Sequence, residues 1–221
     1  MSLKGFIFDF DGLILDTEVP GYMAWKEIFS RYHLPFTHAH WKKAIGTGPT
    51  AYDPAVDLCA LVQVSLDPAQ LREEQITRAN ILLQEYPILP GVLDFIKQAA
   101  LAGKRLAVAS SSPRSWVIGH LSRLDLIKYF DFILTADDVQ NVKPNPELFQ
   151  LALSRLGLLP SEVIVFEDSP SGISAANAAG IYCIAVPNEI TRTMSIVHAD
   201  QVVNSFLEID LEALISRFIS V

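Results

Sequence analysis

Cysteine is nearly absent from this chain. Its two copies, Cys59 and Cys183, stand alone in apolar surroundings with no CxxC or Cys/His spacing. That excludes a disulfide framework or a thiolate zinc site and fits two reduced core thiols in a reducing compartment. Basic residues are also short: 17 Lys and Arg face 25 Asp and Glu, for a formal net charge of −8. The balance argues against a protein that works chiefly by neutralising nucleic-acid phosphates. Long apolar runs are missing too. Met1–Asp9 is apolar over too few residues for a signal peptide, and no window approaches the ~20 apolar residues of a membrane span. The expectation is a soluble, cytoplasmic protein with no membrane and no nucleic-acid partner. The five histidines (His33, His38, His40, His120, His198) show no metal-ligand spacing, and no internal repeat, low-complexity tract or long charge run is present.

What is present is core-forming material. Half of the 221 residues are hydrophobic and 19% are charged, so disorder is excluded. At ~100–200 residues per domain, the length fits one large domain or one domain carrying an insertion. Short, nearly continuous β-rich runs read as buried parallel strands at Phe6–Phe10, Leu106–Ala109, Phe132–Leu134, Val163–Phe166 and Tyr182–Val186, with a weaker one at Gln201–Val203. Helical patterns lie between them at Gly91–Ala102, Pro113–Leu124, Pro146–Leu156 and Ser171–Ala179. This alternation predicts a doubly wound, mainly parallel α/β sheet. From about Thr17 to Pro90 the strands stop, and helical patterns run over Tyr22–Tyr32, His38–Ile45 and Pro68–Glu85, broken by Gly46-Thr47-Gly48-Pro49-Thr50. Such an excursion far exceeds a ~2–6 residue βα loop. It divides the chain into an α/β core (1–16 and 91–221) and a small all-helical cap (17–90).

Ligands of open α/β sheets bind beyond the carboxyl ends of the strands, so the residues after each strand carry the functional signal. After the first come Asp9-Phe10-Asp11-Gly12. Residues i and i+2 share a strand face, so two carboxylates could serve one reaction centre as nucleophile and acid/base partner; alone, they could equally cap the loop. After the fourth strand come Glu167 and Asp168, which by themselves could merely cap the next helix. Together the four carboxylates converge on one sheet edge, where like charges ~4 Å apart repel by ~4 kcal/mol at an effective dielectric near 20. Protons or a cation must relieve that repulsion, and an oxygen-only donor set favours a hard ion, most simply Mg²⁺. Ser110-Ser111-Ser112-Pro113 starts a helix with Pro at its first position, which is either simple capping or an anion site. Lys143, followed by Pro144, is a candidate to neutralise a phosphate or hold the Asp9 carboxylate.

Taken in order, Phe8-Asp9-Phe10-Asp11-Gly12, Ala109-Ser110-Ser111-Ser112, Lys143-Pro144-Asn145-Pro146 and Phe166-Glu167-Asp168-Ser169-Pro170-Ser171-Gly172 resemble the four motifs of the haloacid dehalogenase superfamily. The likeness is to the phosphatase branch similar to β-phosphoglucomutase, and it spans nearly the whole chain. It implies an aspartyl-phosphate on Asp9, with Asp11 as general acid and then base. Ser110, Ser111 and Lys143 would hold the phosphoryl group. Mg²⁺ would sit on Asp9, the Asp11 carbonyl and Asp168, with Glu167 ligating directly or through water. Asp11 separates the chain from the phosphonate-cleaving branch, which lacks an acid there.

Phosphomutases of the branch carry a His shortly after the first motif and an Arg in a cap loop. Here those positions correspond to Gly21 and to the neighbourhood of Pro49, which favours a hydrolase of a small phosphorylated metabolite, such as a sugar phosphate, over a mutase. Arg72 and Arg78 on the long cap helix could meet the substrate or simply face solvent. A non-enzymatic phospho-acceptor module is a distant alternative, because receiver domains are much shorter and place their acceptor Asp after the third strand. A monomer is the default expectation, and the identity of the substrate is not legible.

Overall fold

The computed structural model describes residues 2–45 and 52–219. Their backbone divides into two compact units, Met1–Leu15 with Ile88–Val221, and Asp16–Pro87.

The larger unit is built on six strands: β1 (Gly5–Phe8), β2 (Arg105–Ala109), β3 (Phe132–Leu134), β4 (Val163–Glu167), β5 (Tyr182–Ala185) and β6 (Gln201–Val202). They run in the order β3-β2-β1-β4-β5-β6, and every pairing is parallel. The register sets Phe8 beside Val108 on one side and Phe166 on the other. This is a doubly wound sheet. Strand order reverses between β1 and β4, where the carboxyl ends of such a sheet open a binding crevice.

Both faces of the sheet are buried, which explains why the strands read as continuous apolar runs rather than alternating ones. Phe6 and Phe8 point to one face and Ile7 to the other, as a two-residue period requires. On the first face, Phe6 meets Phe95 edge-on at 5.2 Å, and Phe166 lies 4.9 Å from Phe206. On the second, Ile7, Ala107, Val163 and Val165 pack with Leu148, Phe149, Leu153 and Ile173. Each fully buried phenylalanine contributes about 1.5–3 kcal/mol of transfer free energy. Phe95 rides on α5 (Val92–Leu101), Phe149 on α7 (Glu147–Leu156) and Ile173 on α8 (Pro170–Ala178).

The remaining helices of this unit are α6 (Arg114–Arg123) and α9 (Leu211–Ile219). Pro113 caps α6 instead of opening it as its first residue: its ψ of 150° holds it in extended backbone, and the helix begins one residue later. The sequence patterns did not single out α9, a short helix near the end of the chain. Both cysteines are free, and burial pushes the Cys183 thiol upward.

The smaller unit is all helical: α1 (Glu18–Ser30), α2 (His38–Ala44), α3 (Pro54–Leu61) and α4 (Pro68–Leu83). Its core gathers Tyr22, Trp25, Ile28 and Phe29 of α1 with Phe36, Leu58 and Leu71. Asp53 and Asp67 cap α3 and α4 by accepting the backbone N–H of Ala55 and Ala69, each followed by Pro at the first helical position. Helix α3, only eight residues long, is the second element that periodicity did not single out. The Gly46–Thr50 segment lies outside the described residues. Among those that are described, no helix is long and apolar enough to cross a membrane.

Candidate active site

β1 and β4 are neighbours, so the residues following them meet. Asp9, Glu167 and Asp168 are all buried, and one carboxylate oxygen of each lies within 4.8 Å of the others. The Lys143 ammonium enters this cluster and donates to Asp9 Oδ1 and Glu167 Oε1, both at 2.5 Å. Its side chain is only 3% exposed, and its ammonium sits 4.9 Å from the centre of the Phe149 ring. Burial works against the Lys143 charge, but the Asp9 and Glu167 carboxylates outweigh it and hold the ammonium above its usual range. Burial likewise pushes the Asp9 carboxyl up to about 8; the Lys143 charge opposes the rise, while Glu167 and Asp11 reinforce it. Three carboxylates exceed what one ammonium can balance.

Glu167 is the most constrained of the three. Its Oε2 accepts the backbone N–H groups of Asp168 and Ser169 at 3.1 and 3.3 Å, and the Ser169 hydroxyl at 3.1 Å. Ser169 also caps α8, accepting from the Gly172 N–H. Gly172 has no alternative here, because a Cβ at that position would overlap the Glu167 carboxyl group. Asp168 is oriented by Asn188, whose Nδ2 donates to Asp168 Oδ2 at 2.7 Å and to the Gly12 carbonyl at 3.1 Å. Gly12 has φ +77°, and a Cβ there would also press on Asp168 and on Asn188 Nδ2.

Asp11 differs from the sequence expectation of four converging carboxylates. It is close enough to raise the Asp9 pKa, yet its carboxylate turns to the loop after β2. Ser110 Oγ and Ser112 Oγ donate to its Oδ2 at 3.1 and 2.7 Å, and Trp116 Nε1 donates to Oδ1 at 2.8 Å. Ser110 is fully buried, whereas Ser111 is exposed, so it is Ser112 that joins Ser110 in this contact.

Arg72 and Arg78 are engaged within the helical unit. Arg72 pairs with Asp53, and Arg78 pairs with both carboxylate oxygens of Glu27 at 2.6 and 3.0 Å. Either guanidinium would have to leave a carboxylate to meet a substrate. At Gly21 the space beside the Cα is taken by Trp41, whose ring lies 2.8 Å from where a Cβ would stand.

Sequence reasoning missed Asn188, Ser112 and Trp116. Asn188 had a signal, since it follows β5 at the same sheet edge. Trp116 had only its place in the first turn of α6, one turn from the serine loop.

The family model for haloacid dehalogenase-like hydrolases matches residues 6–186, most of the chain. The chain is a member of that family. Among curated relatives, the Bacillus subtilis protein YhcW, provisionally named a phosphatase, is 38% identical over 215 residues, covering 97% of each chain. The Escherichia coli fructose-1-phosphate phosphatase YqaB is 37% identical over 184 residues, covering 82% of this chain and 95% of its own. The solved structure of CbbY from Rhodobacter sphaeroides in complex with phosphate superposes with a TM-score of 0.76 at 28% identity, covering 93% of this chain and 96% of that one. This family member is therefore a phosphatase of the branch similar to β-phosphoglucomutase. Enzymatic kinship of this kind sets aside the non-enzymatic phospho-acceptor alternative.

Proposed function

We propose that this phosphatase hydrolyses a small phosphorylated sugar through a covalent phosphate on Asp9, supported by a divalent cation. The observation that carries the reading is the buried cluster of Asp9, Glu167 and Asp168 around the Lys143 ammonium at the strand-order reversal. The fructose-1-phosphate phosphatase relative supports a sugar phosphate as substrate.

The donor set fits a hard cation: it is oxygen-only, pre-oriented by Asn188, and carries more negative charge than Lys143 neutralises. Asp9 and Asp168, with the Asp11 carbonyl, would hold Mg²⁺. Glu167, whose two oxygens already accept four donors, serves it at one remove by anchoring Lys143. When bound, Mg²⁺ supplies positive charge that lets an anionic phosphate approach these carboxylates.

The chain's own residues perform the transfer. An Asp9 carboxylate oxygen attacks phosphorus while the ester P–O bond breaks, and the leaving alkoxide takes a proton from Asp11. The Asp11 carboxylate then removes a proton from water as its oxygen attacks phosphorus. The bond to Asp9 breaks and inorganic phosphate leaves. Lys143 and the Ser110 hydroxyl neutralise and orient the phosphoryl oxygens, which is most of what phosphoryl transfer requires.

Hydrolysis is favoured over mutase chemistry because Gly21 offers no imidazole and Trp41 fills its place. The helical unit would act as the cap that selects substrates. Assay of a panel of sugar phosphates with Mg²⁺ and with EDTA tests the proposal. Release of free phosphate, abolished by EDTA and by Asp9→Asn, is expected. Phosphate release that survives Asp9→Asn excludes the nucleophile, and conversion of β-glucose 1-phosphate to glucose 6-phosphate without phosphate release reinstates the mutase.

A further inference from the structure

We propose that Trp116 is a positioning residue for proton transfer to the leaving group, holding Asp11 by one oxygen so that the other faces the phosphoryl site. The inference rests on the proposed role of Asp11 as the general acid. The two Asp11 oxygens are held by different kinds of donor. Oδ2 receives the Ser110 and Ser112 hydroxyls, and Oδ1 receives the Trp116 indole N–H at 2.8 Å.

A serine hydroxyl rotates and can redirect its proton to an arriving phosphoryl oxygen, whereas an indole has one fixed donor and no acceptor. When phosphate engages the serine loop, Oδ2 is released while Oδ1 stays anchored. Asp11 then presents Oδ2 as the proton-bearing oxygen. The half-buried indole is packed on one side. His120 packs edge-on against it with ring centres 4.5 Å apart, is itself buried, and lies 6.2 Å from the Phe10 ring, next in sequence to Asp11. Trp116 neither touches the phosphoryl group nor exchanges a proton in this scheme. Its effect is confined to the orientation of Asp11.

Leaving-group dependence separates this role from a general packing role. A sugar alkoxide needs a proton as it departs, and p-nitrophenolate does not. Trp116→Phe should therefore lower kcat/KM for a sugar phosphate by about 30-fold, part of the ~10²–10⁴ available from general acid catalysis. The value for p-nitrophenyl phosphate should fall by less than about threefold. In an Asp11→Asn background the same substitution should have no further effect on the sugar phosphate.

Equal losses on both substrates, or a full loss persisting in Asp11→Asn, would overturn the proposal. If Trp116→Phe fails to fold, the decision passes to ¹⁵N-tryptophan NMR of the wild-type protein and Asp11→Asn. With only three tryptophans in the chain, one indole N–H resonance should move in the variant while the other two stay. Three unchanged resonances would sink the inference. Should Asp11→Asn itself retain full activity on sugar phosphates, the acid assignment fails instead.

Discussion

Lys143 sits where two buried carboxylates would otherwise face each other, and the consequences of that position differ from those of a surface lysine. Its ammonium is bonded at 2.5 Å to both Asp9 and Glu167 in a pocket nearly closed to water. Removing one member of such a buried ionic group leaves charge uncompensated and costs about 3–5 kcal/mol. Lys143→Met should therefore lower folding stability by about that amount, read from urea unfolding, and abolish measurable phosphate release. A fully active Lys143→Met, or one as stable as the parent, would show that the ammonium is not the element holding the carboxylates together. An exposed pair such as Arg72 with Asp53 should contribute little by comparison, because solvent screens it.

At the scale of elements, β4 and α8 are joined through Ser169. Its hydroxyl accepts from the Gly172 N–H and is bonded to Glu167, so the cap of a helix and the anchor of Lys143 are one group. Ser169→Ala should cost about 1 kcal/mol in unfolding free energy, typical of a lost N-cap, and should also reduce kcat. Gly172→Ala should be worse, about 1–3 kcal/mol, because the new methyl overlaps the Glu167 carboxyl group and the core must shift. A Gly172→Ala protein with unchanged stability would contradict that packing.

The strands were legible because both faces of the sheet are covered, which writes each as an unbroken apolar run. Asp9, Glu167 and Asp168 were legible as ionisable groups at strand ends, and Lys143 as a cation beyond the loop after β3. Helices α3 and α9 were not: α3 is apolar at every position but Asp57, so no polar face marks its period, although Asp53-Pro54 carried a start signal. Asn188 was marked only by its place after β5 at the same sheet edge, whereas Trp116 acts through Asp11, more than 100 residues away, and single-chain spacing holds no record of that pairing.

For the whole molecule, the charge on Asp9 links metal binding to pH. Its pKa rises from 3.8 to about 8 in the folded, metal-free protein. The native state thus retains a proton that the unfolded chain loses across this window, and the contribution of this group to stability falls as pH rises from about 4 to 8. A divalent cation binds the ionised form, so its stabilising effect grows over the same range. The Tm increase caused by MgCl₂, measured by calorimetry, should be larger at pH 8 than at pH 6; an equal increase at both would place the titrating group elsewhere.

The two units can also be separated experimentally. Leu15 and Ile88 of the α/β unit form an antiparallel bridge, so a short Gly/Ser turn can replace Asp16–Pro87. The shortened protein should unfold cooperatively and hydrolyse p-nitrophenyl phosphate while losing its preference among sugar phosphates. Preserved preference would remove the helical unit from substrate selection.

The central claim is that Asp9 carries the phosphate during turnover. Acid quenching within the first turnover, followed by borohydride reduction and peptide mass spectrometry, reads it directly. The account predicts conversion of residue 9 to homoserine only when Mg²⁺ and substrate are both present, with Asp11 untouched. Modification of another side chain, or none at any quench time in an enzyme releasing phosphate, would contradict it.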